Sequence, residues 1–593
     1  MKHFSAILLC MLLFALPVAA ERSGFYTYAL TDGAAVITDY AGSGGQLGIP
    51  AELGGCPVRE IAGHAFEGCT ALVSVSVPEG VLRIGESAFA DCAALQELRL
   101  PDSLTEIGEA AFARCYTLPE IALPQGLSAI GSGAFEDCRS LKRISLPEGL
   151  TQLGSLAFRG CHALQTIDLP DSLTEIGDNP FAACGCLREI TVGEGNPALA
   201  VQDGLLYARS GHRLIACPDA LGLTEAALPG DTQSIGAYAF SGCAALQSVT
   251  LPEALLSIGS YAFEDCRALQ AIDLPLGITE IGCNPFLGCG VLTSISVSID
   301  HPVLSVLGGV LYSKPDRRLV SYPSALLMGT YAVPGGIHLI GESAFSGCTA
   351  LKTVLLPEGI TSVGNEAFRR CLKLERVQLP ESLTVIGDGA FAGCRSLTDI
   401  ALPAGLTALG RGALQDCTAL ERFTLPENLS PDPSWLSGCT ALTEVTIPDS
   451  VTEIADNPFS DCPLQRIVVS DAHPSLAVTG GVLFSRAEKK LLCYPSGLTE
   501  SSYAVPDGVL SIAPHAFRNA SLGAVTLPES VTAIGEGAFS ACAKLYSVSV
   551  PESVTAIAEN AFRGCAPALT LSVTRGSYAE RFCDNEGISR VFQ

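Results

Sequence analysis

Apolar residues recur along this chain at a fixed interval. Phe66, Phe89 and Phe112 lie 23 residues apart, and the position that they share is found 18 times, with Phe in 16 of the copies. The full series is Phe66, Phe89, Phe112, Phe135, Phe158, Phe181, Phe240, Phe263, Phe286, Phe345, Phe368, Phe391, Leu414, Leu436, Phe459, Phe517, Phe539 and Phe562. Because a unit of this length cannot bury an apolar face alone, the interval predicts coils that stack on one another.

Each unit predicts the same short elements in the same order. One unit reads Cys92-x-x-Leu95-x-x-Leu98-x-Leu100-Pro101-x-x-Leu104-x-x-Ile107-Gly108-x-x-Ala111-Phe112. The alternation around Leu98 predicts a strand with one buried face, which Pro101 ends because proline cannot donate to a strand ladder. A second extended piece is predicted at Ile107-Gly108. The spacing of Phe112 and Cys115 predicts a helical or 3₁₀ turn with both side chains on one face.

The repeated unit also resembles a known family. Ile-Gly-x-x-Ala-Phe-x-x-Cys-x-x-Leu-x-x-Ile-x-Leu-Pro is similar to the BspA-like leucine-rich repeats of bacterial and protist surface proteins, over nearly the whole mature chain. The resemblance implies a protein without catalytic activity that serves as a protein-binding or adhesion surface. One departure is found after the strand, where leucine-rich repeats usually have Asn or Cys and this chain has Gly80, Ser103, Gly126 and Asn428.

Three gaps of 59, 59 and 58 residues interrupt the regular spacing. Each contains two short apolar runs separated by a polar turn, which predicts a β-hairpin insert. The inserts are placed near residues 193–232, 298–337 and 470–509. Asn196, His301 and His473 occupy matching positions in the three inserts. We expect these residues to form a turn, because Asn can replace His in a turn but not as a general base.

The N-terminal segment 1–20 is typical of a secretory signal peptide. Lys2 and His3 precede an apolar stretch from Phe4 to Leu16, and small residues follow it up to Ala20, where cleavage is expected. A short uncleaved anchor is the alternative. Cleavage predicts an exported protein that is secreted or held at the cell surface.

Both ends of the repeat region have capping signals. Asp32-Gly33 predicts a hairpin within residues 21–60, and Ser577 with Glu580 forms a capping box that opens a helix within residues 571–593. Residues 61–570 then form the repeat region. The predicted fold is a leucine-rich-repeat solenoid of about 18 coils, α/β by convention but rich in strands, with short helical or 3₁₀ turns, three β-hairpin inserts and end caps.

Charge and hydropathy exclude two classes of function. A net charge of −26, from 35 Lys and Arg against 61 Asp and Glu, argues against a nucleic-acid partner. The mean hydropathy of +0.37 would suit a membrane protein. Only the signal peptide approaches the about 20 consecutive apolar residues of a spanning helix, so no transmembrane segment is expected in the mature chain.

The positions of the cysteines predict that they pack in the core and do not form a reactive or metal-binding site. Of 24, 17 share one repeat position from Cys69 to Cys565, where Ala520 is the exception. A metal site needs ligands that converge on a point, whereas a ladder spreads them along a line. We therefore expect no metal and no cofactor. Reaction or pairing stays open for four cysteines, Cys184, Cys186, Cys283 and Cys583.

Acidic residues concentrate in the turn after the repeated proline of each unit. They are Glu79, Asp102, Glu148, Asp171, Glu253, Glu358, Glu381, Glu427, Asp449, Glu529 and Glu552. Stacked carboxylates could bind Ca²⁺, which takes several oxygen ligands. The favoured interpretation is a solvated edge that keeps an apolar stack soluble, because no Asp-x-Asp-x-Asp-Gly loop is present.

A binding surface is predicted on the outward positions of the repeat strands. These positions hold many Ser, Thr and Ala but no aromatic residue, so arginine would supply the anchors. The candidate binding residues are Glu97, Arg99, Arg143, Arg376, Arg422 and Arg466. No catalytic motif is found, and no catalytic residue is proposed. We expect a monomer whose partners are extracellular or surface proteins. A self-assembling structural protein of the cell envelope is the alternative, and a secreted hydrolase is a third.

Overall fold

The chain forms two compact units that divide between Ala268 and Leu269. The structure, a computed structural model, describes residues 20–427, 429–454 and 457–593. The predicted signal peptide, apart from Ala20, and Asn428 lie outside the described residues. Each unit contains parallel ladders in which a strand bonds to its equivalent one coil away. The core of each unit lies between these ladders.

The alternating segment of each repeat forms a strand of what we call the first ladder. In Arg143–Ser145 the central Ile144 is buried and its neighbours are exposed, and Glu120 and Ile121 pair in register with Arg143 and Ile144. First-ladder strands of the first unit are Gly45–Gly48, Leu72–Ser76, Glu97–Arg99, Glu120–Ala122, Arg143–Ser145, Thr166–Leu169, Glu189–Val192, Glu225–Ala227 and Ser248–Thr250. Those of the second unit are Ala271–Leu274, Ser294–Val297, Thr330–Ala332, Thr353–Leu355, Arg376–Gln378, Arg422–Thr424, Glu444–Thr446, Arg466–Val468, Ser502–Ala504, Ala524–Thr526, Ser547–Ser549, Thr570–Val573 and Ser589–Phe592.

The Ile-Gly segment forms a second ladder of two-residue strands. A Cβ built on Gly131 would lie 2.6 Å from the backbone nitrogen of Glu109, so glycine is needed where adjacent backbones approach closely. Strands of the first unit are Arg83–Ile84, Glu106–Ile107, Ala129–Ile130, Gln152–Leu153, Glu175–Ile176, Ser234–Ile235 and Ser257–Ile258. Those of the second unit are Glu280–Ile281, Leu339–Ile340, Ser362–Val363, Val385–Ile386, Ala408–Leu409, Ser511–Ile512, Ala533–Ile534 and Ala556–Ile557.

The predicted turn carries the repeated Phe and Cys, and forms the third side of each coil. The rings of Phe89 and Phe112 stack with centroids 5.4 Å apart and planes 5° from parallel. The backbone N–H of Phe89 donates to the Ala111 carbonyl of the next coil at 2.8 Å. We call this set of hydrogen bonds the turn ladder. The Cys92 thiol donates to the Phe66 carbonyl of the preceding coil at 3.3 Å. The cysteines thus also satisfy buried carbonyl groups.

One coil of the second unit departs from this pattern. Leu414 and Leu436 are 22 residues apart, and Pro431 and Pro433 fall between them. Here the indole N–H of Trp435 donates to the Leu409 carbonyl at 3.1 Å. In a regular coil the equivalent carbonyl accepts a backbone N–H, as that of Ile386 does from Gly410, so here a side chain supplies the donor.

The three inserts contain the predicted hairpins. Each is a set of three antiparallel strands, Leu199–Gln202, Leu205–Ala208 and Arg213–Ala216 in the first, Leu304–Leu307, Val310–Ser313 and Arg318–Ser321 in the second, and Leu476–Thr479, Val482–Ser485 and Lys490–Cys493 in the third. Short 3₁₀ turns at Ser210–His212 and Asp219–Leu221 accompany the first insert. The Asn179 amide donates to the Tyr238 carbonyl at 2.6 Å, which joins the coil before the insert directly to the coil after it.

The matched Asn and His residues of the inserts form turns, as predicted. In the second insert His301 Nδ1 accepts from the backbone N–H groups of Val303 and Leu304 at 3.1 and 3.0 Å, and Nε2 donates to a proline carbonyl of the preceding coil. Burial lowers the pKa of His301, which favours the neutral ring that these bonds require. Asn196 makes the corresponding bonds in the first insert and His473 in the third.

Asp219 places a carboxyl group where the other inserts have a hydroxyl. The equivalent Ser496 donates to the Cys462 carbonyl at 3.0 Å, and Ser324 stands in the second insert. Asp219 Oδ1 is buried and has no hydrogen-bond partner among the residues that the structure describes. Burial raises the pKa of this carboxyl to about 8.

Both predicted caps are present. Strands Tyr26–Thr31 and Ala34–Tyr40 pair around the positive-φ turn at Asp32-Gly33, accompanied by Glu21–Ser23, Glu52–Leu53 and Cys56–Ile61. At the other end, the Ser577 hydroxyl accepts from the Glu580 backbone N–H, which begins the helix Tyr578–Glu586. The predicted fold class is confirmed. There are about 24 coils rather than the predicted 18, because the caps and inserts form additional coils that lack the repeated Phe.

Replacing Gly131 tests the close approach of the second ladder. We expect Gly131→Ala to lower the free energy of unfolding by about 2–3 kcal/mol, because the added methyl group must push adjacent backbones apart. Denaturant unfolding followed by circular dichroism measures this. Gly230→Ala is the control, since a Cβ there meets no atom within 4 Å. An equal loss in both variants would contradict the close-approach explanation.

Asp219 makes stability depend on pH. Its folded-state pKa lies above the unfolded value, so its contribution is most favourable at low pH and is lost as the pH rises through about 8. Asp219→Ser restores the hydroxyl of the third insert and should raise the melting temperature more at pH 9 than at pH 5. A pH-independent effect of Asp219→Ser would contradict this explanation.

Candidate binding surface

The outward side chains of the first ladder form the candidate surface, which we call the strand face. All six predicted binding residues lie on it, because they occupy the exposed positions beside a buried central residue. Glu97, Arg99 and Arg143 belong to the first unit, and Arg376, Arg422 and Arg466 to the second.

In the first unit, the three predicted residues line one cleft. The cleft has a volume of about 570 Å³ and is lined by Glu97, Arg99, Glu120 and Arg143 together with the strands that carry them. The first ladder is interrupted here, since no ladder hydrogen bonds join Glu97–Arg99 to Glu120–Ala122 in this fully described stretch.

In the second unit, the strand face is interrupted at Asp399–Ala401. These residues are described but form no strand, although they follow the same alternation as their neighbours. Clefts of about 470 and 320 Å³ lie at this position, and Asp399, Arg422 and Phe423 line both. Arg422, Glu444 and Arg466 follow in register on the next three strands.

The six residues differ in whether their charge is already compensated. Arg99 pairs with Glu97 at 2.7 Å, and Arg466 pairs with Glu444 at 3.3 Å. The guanidinium groups of Arg143, Arg376 and Arg422 have no ion-pair partner within the described part of the chain. These three are consequently the groups most available to an incoming carboxylate.

Sequence reasoning missed the interruptions of the first ladder. Thr398-Asp399-Ile400-Ala401 alternates like any other repeat strand, so the pattern holds no signal for the break. The nearby shortened coil, with Pro431 and Pro433, is the one irregularity that the sequence does show in this region.

Two of the acidic turn residues accept hydrogen bonds between coils. Glu79 Oε1 accepts from the backbone N–H of Asp102 one coil later at 3.1 Å, and Glu358 accepts from Glu381 and Ser382 in the same way. No group of three or more His, Cys, Asp or Glu residues is arranged to hold a metal ion in residues 20–427, 429–454 and 457–593. Glu79 and Glu358 therefore have a structural partner in the backbone of the next coil.

Most of the cysteines at the shared repeat position have unreactive thiols. Burial raises the pKa of Cys138 to about 12 and that of Cys439 to about 12, so neither thiol forms the nucleophilic thiolate at neutral pH. No disulfide joins the cysteines of the described residues, among which Cys186 is exposed and Cys583 buried. No helix in the described part of the chain has the length and apolar character needed to cross a membrane.

A comparison with known protein families identifies the same repeats. The family model described as BspA type leucine rich repeat region (6 copies) matches residues 57–196, 217–306, 327–431, 432–503 and 493–578. A comparison with curated proteins gave no match.

Several solved structures are similar to this chain. A leucine rich cell surface protein from Faecalibacterium prausnitzii is 26% identical, with 73% of this chain and 97% of that one covered and a TM-score of 0.34. A leucine-rich repeat protein from Bacteroides ovatus is 26% identical, covering 72% and 94%, with a TM-score of 0.33. One from Eubacterium ventriosum is 24% identical, covering 69% and 96%, with a TM-score of 0.39. These superpositions are partial, and the assignment rests on the family model, whose matches extend over most of the chain: the protein belongs to the BspA-type leucine-rich-repeat family.

Proposed function

We propose that this protein is exported and that its strand face binds other extracellular or surface proteins without catalysing a reaction. The observation that carries the proposal is the set of three exposed, uncompensated guanidinium groups, Arg143, Arg376 and Arg422, on a strand face whose first ladder is broken in both units. An adhesive role is the form of binding that the family resemblance favours.

The chemistry of the strand face supports arginine as its anchor. Arginine is enriched among interface residues that dominate binding energy, and its planar group bonds a carboxylate through two parallel N–H donors. Phe423 and Thr424 line the same clefts as Arg422, and the Phe423 side chain itself is buried. A partner that offers carboxylates would thus meet a guanidinium donor beside small polar groups.

Export is supported by the position of the first strand. Glu21–Ser23 begins immediately after the predicted cleavage site, and the Tyr28 hydroxyl donates to Glu21 Oε2 at 2.8 Å. The mature protein would then comprise a capping region, the repeat region with its inserts and a C-terminal cap, acting as a monomer.

The N-terminus of the exported protein tests this part of the proposal. When the full chain is expressed in a bacterium with a secretory pathway, mass spectrometry of the exported product should give Glu21 as the first residue. Ala20→Arg replaces the small residue directly before the predicted cut with a large charged one and should block processing. An exported product that keeps the segment 1–20 would support the uncleaved anchor instead.

Charge reversal on the strand face tests the binding role. The mature chain is screened against extracellular-matrix and microbial-surface proteins, and each interaction is measured again with Arg376→Glu and Arg422→Glu combined. We expect at least about a 100-fold loss of affinity, because about 1.4 kcal/mol corresponds to tenfold and two anchors are lost.

The matched control combines Arg370→Glu with Arg395→Glu. Both arginines are exposed on turns away from the strand face, so the control makes the same change in net charge. If both double variants lose binding equally, the effect is one of net charge and the strand face is not the site. Ordered self-assembly that rises with protein concentration, without any heterologous partner, would favour the envelope-structure alternative.

A further inference from the structure

The core of the second insert contains a cluster of aromatic rings. The hydroxyl groups of Tyr312 and Tyr331 form a buried hydrogen bond. The ring of Tyr322 has its centroid 5.0 Å from that of Tyr331 and 5.1 Å from that of Phe345. The Tyr331 ring therefore packs within the insert and supplies a partner for the Tyr312 hydroxyl.

The first insert lacks two of these rings. The register of the strands identifies the equivalent residues, in which Tyr207 takes the place of Tyr312, Cys217 that of Tyr322 and Ala226 that of Tyr331. Among the aromatic rings that the structure describes, Phe240 contacts only that of Phe263. Its equivalent, Phe345, also contacts both of the tyrosine rings that are missing here. The first insert thus has an aromatic core from which two members are absent.

The Tyr207 hydroxyl is left without the partner that the second insert provides. Tyr207 is 8% exposed, and its hydroxyl oxygen is buried with no hydrogen-bond partner among the described residues. Burial raises the pKa of Tyr207, so the hydroxyl keeps its proton at neutral pH and can donate or accept. The Tyr322 hydroxyl is also buried without a partner, so this feature alone does not mark a site. The first insert combines it with the loss of the ring that carries the partner.

The other buried positions of the first insert do not replace the lost volume. Cys217, Ala226 and Thr232 are buried and smaller than their counterparts Tyr322, Tyr331 and Ile337. Three buried positions are larger by one methylene group each, namely Leu205, Ile215 and Leu228 in place of Val310, Val320 and Val333. Three methylene groups occupy less space than two phenol rings, and a core relaxes only partly around missing side chains. Space for one ring therefore remains beside Tyr207.

We propose that the first insert is a binding site for a small phenol, which takes the place of the Tyr331 ring and forms a hydrogen bond with the Tyr207 hydroxyl. Because Ala226 retains the Cβ of tyrosine, the group missing at this position is phenol itself. A ring-sized space in an apolar core admits small aromatic molecules. The buried hydroxyl adds selectivity, because a ligand without a hydroxyl group leaves it unpaired. The site does not depend on the binding role proposed for the strand face.

Equilibrium dialysis of the mature chain against radiolabelled phenol tests the proposal. We expect saturable binding of one phenol per chain, and binding of benzene, measured by competition, that is at least about tenfold weaker. Ala226→Tyr supplies the missing ring and should weaken phenol binding at least about tenfold. Ala227→Tyr is the matched control and should bind phenol as the wild type does, because Ala227 is exposed on the same strand. No saturable binding, or unchanged binding in the Ala226→Tyr variant, would overturn the proposal.

Two further variants test the hydrogen bond and the equivalence of the inserts. Tyr207→Phe should weaken phenol binding at least about tenfold and leave benzene binding unchanged. Tyr331→Ala opens the corresponding place in the second insert and should bind two phenols per chain. Circular dichroism checks that each variant is folded, and the comparison of the wild type with Ala226→Tyr decides if Tyr331→Ala is not. Unchanged phenol affinity in Tyr207→Phe, or a single site in folded Tyr331→Ala, would show that the missing tyrosine ring does not define the site.

Discussion

Hydrogen bonding between successive coils, in register and at a spacing of about 5 Å, is the constraint on which the rest of this structure depends. It makes the nearest neighbour of a side chain the equivalent side chain one coil away. Each position must therefore tolerate a copy of itself. Phenylalanine meets this requirement by parallel stacking, as in Phe368 and Phe391 with planes 3° apart. Glycine meets it by having no side chain at all where backbones nearly touch.

The same constraint explains what happens to polar groups. A column of identical carboxylates would repel itself, and Glu79 and Glu358 each accept backbone N–H groups of the next coil. A column of buried thiols has no such difficulty, since each thiol donates to a carbonyl and stays uncharged. Inserts have to return the chain to the register that it left. The Asn179 amide, which reaches the coil beyond the insert, shows how that return is held.

The repeat, the hairpin inserts, the caps and the packing role of the cysteines were predictable from the sequence, because each leaves a periodic or local pattern. The turn role of His301 was predictable for the same reason, as Asn196 replaces it in another copy. The breaks of the first ladder were not, since Asp399–Ala401 has the residue pattern of an intact strand. The buried Asp219 carboxyl depends on local packing that a pattern cannot express. The six strand-face residues lie at exposed strand positions, and their separation into compensated and uncompensated charges required the structure.

Trp435 gives the irregular coil a further significance. It is the chain's single tryptophan, and its side chain supplies a donor that the backbone supplies in regular coils. In an array of coils that contact only their neighbours, stability is a sum of local terms, and unfolding can stop at a weak junction. A coil that is one residue shorter than its neighbours is such a junction, and the indole lies in it. The tryptophan fluorescence of this protein therefore reports on one boundary between neighbouring coils and not on the melting of the whole stack.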